Sequence, residues 1–287
     1  MKLIKPSAQI IEPTGYTIDD IYKSIELAGR CSHKSEDKIT ETSAKDFVGR
    51  MLNMKHLATC EFGTVYLNIP NGLISQAIYG NLVDKYSENA YSISVPYVEK
   101  TGLVSIGRAA ITTNYRVLVE NNWLDDLQYL CEPTEYHHKR YTVKYICDRA
   151  IANEIVRHRK FSFLQESTRY CNYSKGKFNG ELTFIEPCWL TPDMKNNLTY
   201  LNYVDTLQKI EDTYITLTKN GWKAEEARNI LPLSLKTELY MCGFAEDWKN
   251  FFKLRSKKYG VGNPHPQVDE LATPLYEEFI KRGYINE

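Results

Sequence analysis

The chain has no net charge. Its 36 Lys and Arg are matched by 36 Asp and Glu, which excludes the broad basic face that non-specific nucleic-acid binding needs. No apolar run approaches the ~20 residues of a membrane span. The opening Met1-Lys2-Leu3-Ile4-Lys5-Pro6 has no apolar signal core, so a cytoplasmic protein is expected, without nucleic acid or membrane as partner. There is no Cys-x-x-Cys, and the seven cysteines are an odd number at wide spacing. Such cysteines read as reduced, mostly buried thiols. His137-His138, near Cys131 and Cys147, lacks metal-ligand spacing, so no metal is expected. Neither Gly-x-Gly-x-x-Gly nor a P-loop occurs, which leaves Rossmann and Walker sites unsupported. Gly-x-Ser-x-Gly is missing too, and no Ser-His-Asp set can be assigned from spacing. Repeats, linkers and low-complexity segments are also absent.

What is present is an ordinary folding composition. Hydrophobic residues make up 43% and charged residues 25% of 287, enough for one large domain, residues 1–287. Periodicity predicts an α+β fold. Strands are expected at 1–12, 62–69, 141–147 and 181–186, with a β-rich stretch over 91–120. Helices are expected from Thr17 to about Gly29, over 44–52, 74–86 and 122–130, and from Asp148. A long helix should start at Thr191-Pro192-Asp193, with Leu198, Leu201, Val204, Leu207 and Tyr214 as its apolar stripe. Further helix is expected over 224–230, most of 235–255, and 268–281.

One stretch concentrates chemistry: Arg157-His158-Arg159-Lys160-Phe161-Ser162-Phe163-Leu164-Gln165-Glu166-Ser167-Thr168-Arg169-Tyr170. Five further Arg or Lys follow Arg157 as far as Lys177, against one carboxylate, Glu166. That excess suits a phosphorylated ligand. A solvated basic loop is the bland reading, but Phe161, Phe163, Leu164 and Tyr170 should pin this one to a core. Ser167 and Arg169, two apart in an extended loop, would point the same way and clamp a phosphate. Arg157, His158 and Arg159 fall at the end of a buried helix, a rigid mount for a second anionic group. His56 and Glu61 offer a polar pair for a ring edge or ribose. Cys171, beside the basic run, reads more readily as a packed side chain than as a thiolate. Residues alone stop here, at a protein that binds phosphorylated ligands.

The run Arg157-His158-Arg159-x-x-Ser162-x-x-x-x-Ser167-x-Arg169-Tyr170 resembles the signature of the flavin-dependent thymidylate synthases (ThyX). Arg30-Cys31-Ser32, His56 to Leu67, Leu231 to Leu239, and Asp247-Trp248 to Leu254-Arg255 resemble further segments of that family, in order. Residues 91–136 look like an insertion. The resemblance implies a homotetramer with active sites between subunits. It implies FAD, NADPH and 5,10-methylenetetrahydrofolate, and a pyrimidine deoxynucleotide monophosphate methylated at carbon 5, dUMP becoming dTMP without an enzyme nucleophile. Ser32, His56, Glu61, Arg157, His158, Arg159 and Arg255 would hold FAD. Glu154, Arg157, Gln165, Glu166, Ser167, Arg169 and Lys236 would hold the nucleotide, with Glu166, Ser167 and Arg169 coming from a neighbouring subunit. Interface salt bridges are the bland alternative for each.

The chain departs from the family at four places. Phe62 stands where many members have histidine, and Gln165-Glu166 replaces the commoner Asn-Glu. Glu238 falls where some members carry a nucleotide-binding arginine. Asp269, in His265-Pro266-Gln267-Val268-Asp269-Glu270, stands where the family has an arginine that reads the pyrimidine edge. Arg157 and Asp269 are thus the residues expected nearest the chemistry. A carboxylate suits a ring that presents an amino group. The alternatives are therefore dCMP methylation or hydroxymethylation, or a homologue that binds flavin and nucleotide without catalysis.

Overall fold

The structure is a computed structural model that describes residues 1–71, 82–101 and 104–286. The fold is α+β. Lys2–Ile4 (β1) and Ser7–Ile11 (β2) replace the single strand expected over 1–12. Pro6 separates them, since it has no N–H for a ladder. Helix α1, Ile18–Cys31, begins at a capping box: Thr17 Oγ1 accepts from the Asp20 N–H, and Asp20 accepts from the Thr17 N–H. Helix α2, Ser43–Asn53, follows. A 3-10 turn, Leu57–Phe62, leads into β3, Thr64–Pro70. Of the helix expected over 74–86, residues 74–81 lie outside the described residues; Asp84–Ser87 is one helical turn, α3.

Strands β4, Ile93–Thr101, and β5, Val104–Asn114, form an antiparallel pair, and β5 also pairs with β3. The β pattern expected to Glu120 stops at Asn114, whose side chain accepts from the Val117 N–H and starts α4, Tyr115–Glu120. The helix expected over 122–130 is a 3-10 turn, Leu124–Tyr129. Next come β6, Arg140–Asp148; α5, Arg149–Ile155; β7, Ser162–Gln165; and β8, Thr183–Ile185, which pairs with β1. The helix expected from Pro192 divides into a 3-10 turn, Pro192–Asn196, and α6, Leu198–Lys219, capped by Asn197. Leu198 and Leu201 are exposed; the stripe buries Leu207 and Tyr214. One turn, α7, covers Ala224–Ala227.

The largest correction concerns 235–244. This is a strand, β9, Lys236–Phe244, not a helix. It lies between β6 and β7 in a four-stranded antiparallel sheet ordered β2-β6-β9-β7. Buried on both faces, its second part, Leu239–Phe244, reads as a continuous apolar run, which periodicity cannot tell from a buried helix. Only Ala245–Arg255 is helical (α8), and Pro266–Lys281 (α9) closes the chain. One sheet face, with Val143, Tyr145, Leu239 and Met241, packs against Trp248, Phe251, Phe252 and Phe279. The other face meets α1 through Ala28, Cys31, Tyr240 and Cys242.

Candidate functional site

Asp148 sets the first part of the site. Its Oδ1 accepts from the Ile151 N–H at 2.8 Å, and its Oδ2 accepts from Gln267 Nε2 at 2.8 Å. This cap starts α5, whose buried Ile151, Ala152 and Ile155 anchor it. The helix ends at Ile155, so Arg157, His158 and Arg159 leave its C-terminal turn, as expected. Arg255 at the end of α8 meets them. Its Nη1 and Nη2 donate to the Glu154 carboxylate at 2.7 Å and the Glu154 carbonyl at 3.2 Å, and its Nε donates to His158 Nε2 at 3.0 Å. His158 is therefore a neutral acceptor. Burial, then Arg255, lowers its pKa to about 4. Arg157 and Arg159 are exposed and have no hydrogen-bonding or ion-pair partner for their guanidinium groups among the described residues. Both line a cavity of about 540 Å³, with Asp247, Asn250 and Leu254 opposite.

The second part lies at the far end of β7. Arg149 ties it to α5 by donating to the Glu166 carbonyl and Thr237 Oγ1. Glu166 is 1% exposed. Its carboxylate accepts from Lys236 Nζ at 2.8 Å and from the Tyr173 hydroxyl at 2.9 Å. Lys236 also donates to Glu238 at 2.6 Å, while Lys34 and Lys144 lie 2.8 and 2.7 Å from the other Glu238 oxygen. Burial alone would raise the Glu238 pKa, but Lys236, Lys144 and Lys34 hold it well below the usual carboxylate range. Burial alone would lower Lys236, yet Glu166 and Glu238 raise it. Gln165 donates to Thr237 Oγ1 at 3.2 Å.

Ser167 and Arg169 do not lie in an extended loop. The Tyr170 and Cys171 N–H groups both donate to the Ser167 carbonyl, so the segment is a turn, and Ser167 Oγ accepts from the Arg169 N–H. The Ser167 N–H donates to the Ser32 carbonyl at 3.1 Å, which brings those two positions together. Arg169 Nε donates to Glu225 on α7 at 3.0 Å. Phe161 is buried as expected, but Tyr170 is 51% exposed and stacks on His33 at 4.2 Å. His56 lies close enough to His33 to lower its pKa, after burial. Glu61 faces elsewhere, paired with Arg116 of α4 at 2.6 Å. Asp269 Oδ1 accepts from the Lys257 N–H at 2.7 Å and the Thr273 hydroxyl at 2.6 Å, which ties α9 to the preceding loop. Burial pushes the Cys171 thiol up to about 12, so it is no thiolate.

Lys34, Lys144 and Tyr173 were not expected in the site. Lys144 carried a legible signal: it alternates with Val143 and Tyr145 in an expected strand, so its charge must find a partner on the opposite face. Lys34 and Tyr173 carried none.

Residues 109–282, more than half of the chain, match the thymidylate synthase complementing protein family. A probable flavin-dependent thymidylate synthase of Paramecium bursaria Chlorella virus 1 is 28% identical over 221 residues, covering 68% of this chain and 94% of that one. The flavin-dependent thymidylate synthase of Pyrococcus furiosus is 29% identical over 139 residues, covering 48% of this chain and 53%, about half, of that one. Among solved structures, the UMP/dUMP methylase PolB of Streptomyces cacaoi, bound with 5-Br UMP, is similar at a TM-score of 0.44 and 14% identity, over 98% of this chain and 92% of that one. With the signature at the end of α5 and the family match running from β5 through α9, the chain belongs to the flavin-dependent thymidylate synthases.

Proposed function

We propose that this protein methylates carbon 5 of a pyrimidine deoxynucleotide monophosphate, dUMP in the first instance, using FAD, NADPH and 5,10-methylenetetrahydrofolate in the cytoplasm. The observation that carries this reading is the pair of unpartnered guanidinium groups, Arg157 and Arg159, on one rigid cavity at the family signature. Two unneutralised cations mounted at the end of one helix fit the phosphates of a dinucleotide such as FAD. When bound, the flavin would supply the redox chemistry of methyl transfer. His158 and Arg255 would shape the cavity wall, with Glu154 holding Arg255 in place. The buried Glu166–Lys236 pair would fix the turn that presents Ser167 and Arg169 to the nucleotide phosphate.

A second reading rests on Asp269. Donors on Oδ1 orient this carboxylate, and its Oδ2 has no hydrogen-bond partner among the described residues. An oriented free acceptor suits the amino group of cytosine, so dCMP is the alternative base, with methyl or hydroxymethyl product. Purified protein should be yellow, and NADPH should bleach it. Incubation with methylenetetrahydrofolate and each nucleotide in turn then separates the readings. Turnover of dUMP supports the first; turnover of dCMP alone replaces it with the second. A protein that binds no FAD and turns over neither leaves a non-catalytic homologue.

A further inference from the structure

A second cavity, of about 460 Å³, opens between α1, the loop before it, and the sheet face of β2, β6 and β9. None of Arg157, His158, Arg159, Ser167 and Arg169 lines it. Its origin is the double duty of α1. Ile21 and Ile25 pack toward β3 and β5, whereas Leu27, Ala28 and Cys31 pack toward β9. A helix wedged against two sheets covers neither fully. Alongside Ser24 and Leu27, the face that carries Thr142 and Tyr240 stays open.

The walls are aromatic and already held in place. Tyr16 meets Tyr66 edge-on at 5.8 Å, Tyr141 stacks on Tyr284 at 4.1 Å, and Phe62 meets Tyr240 edge-on at 6.5 Å. Tyr240 is only 2% exposed, yet its hydroxyl makes no hydrogen bond among the described residues. Three of the charged rim groups, by contrast, have partners. Asp20 accepts from Thr14 and Thr17, Glu12 accepts from the Tyr284 hydroxyl, and Arg140 donates to the Glu61 carbonyl and Thr64 Oγ1. The cavity therefore has stacking surfaces and one unanswered hydroxyl, with two of its three carboxylates, Glu12 and Asp20, already engaged and the third, Glu41, exposed at its rim.

We propose that this cavity binds a planar heteroaromatic ring whose edge acceptor takes a hydrogen bond from the Tyr240 hydroxyl. The volume falls within the ~300–1,000 Å³ usual for small-molecule sites. Tyrosine faces and edges favour such rings sequence-independently, whether purine, pterin or nicotinamide. Tyr240 sits on β9, two residues and about 7 Å along the same face from Glu238. A ring held there would lie beside the Lys34–Glu238–Lys236 ion network. The inference does not depend on the reaction proposed above, because binding is measured directly.

The test is calorimetric titration of the whole protein with adenosine, 6-methylpterin and nicotinamide, each alone. Wild type should bind at least one, and the one bound identifies the source of the ring. Tyr240→Phe removes one oxygen and should weaken that probe about tenfold, the effect of one lost hydrogen bond. Leu27→Trp, which fills the cavity, should abolish binding, while Arg157→Ala should leave it unchanged. The proposal is overturned if no probe binds, or if Tyr240→Phe and Leu27→Trp, melting like wild type, bind as wild type does. It is equally overturned if a crystal structure of the assembly shows a neighbouring subunit's side chain filling the cavity.

Discussion

His158 shows how burial gives a single side chain its role. Its ring accepts from Arg255, so only the neutral form fits. Its pKa falls from an ordinary 6.5 to about 4 in the fold, through burial and then the guanidinium. Between those values the unfolded chain binds the extra proton and the folded chain does not. Stability from this residue is therefore full above 6.5 and falls as pH drops toward 4. His158→Gln keeps an acceptor and removes the titration, so its melting temperature should fall less steeply than that of wild type from pH 7 to 4.5. Parallel slopes would assign the acid sensitivity to another group. At this scale the sequence was legible where charge stood out of place. Arg157–Arg159 and Ser167-x-Arg169 single out, without any structure, the stretch proposed to meet phosphate. It was not legible how those charges are shared out. Glu61 looked like a partner of His56 but pairs with Arg116, and Glu238 looked like a lost arginine but sits within reach of three lysines.

Among the elements, β9 decides whether the signature is rigid. Gly243 lies on the face that meets Phe161, and a Cβ there would overlap the Phe161 ring. That close approach lets Phe161 seat against the sheet and hold the turn after α5. Gly243→Ala should destabilise the fold by about 1–3 kcal/mol, the usual result of overpacking. It should also loosen flavin retention, because Arg157–Arg159 lie on the displaced turn. Adding Phe161→Leu makes room for the new methyl, so the double variant should melt higher than Gly243→Ala alone. Additive losses in denaturant titration would show that the two side chains do not compete for space. The sequence hid β9 for the same reason that it matters. A strand covered on both faces has no period-2 signature, and Leu239-Tyr240-Met241-Cys242 fits a helix equally well. By contrast, α1 was legible to within two residues, because Thr17 and Asp20 write its cap into the sequence and Ile18, Ile21, Ile25 and Ala28 mark its face.

For the whole molecule, β7 sets the arrangement. Its four residues put about 13 Å between Arg157–Arg159 and the Ser167 turn. Arg157 lines the α8 cavity, whereas Arg169 turns to Glu225 on α7. Two such parts, facing different elements, do not hold one phosphate within one chain. They do hold one substrate if a cavity from one subunit is completed by a Ser167 turn from another, as the expected homotetramer requires. Complementation tests this. Arg157→Ala and Arg169→Ala should each lose about 100-fold or more in kcat/KM, as loss of a charge-assisted phosphate contact does. Co-expressed in one assembly, the two variants should regain about a quarter of wild-type activity, since a quarter of randomly mixed sites draw both intact arginines. Mixed assemblies no more active than either variant alone would place both arginines in one subunit's site. The sequence could not express this level, because the spacing from Arg157 to Arg169 is identical whether the two serve one site or two. Only the direction each faces, toward α8 or toward α7, separates the cases, and that direction is a product of the folded sheet.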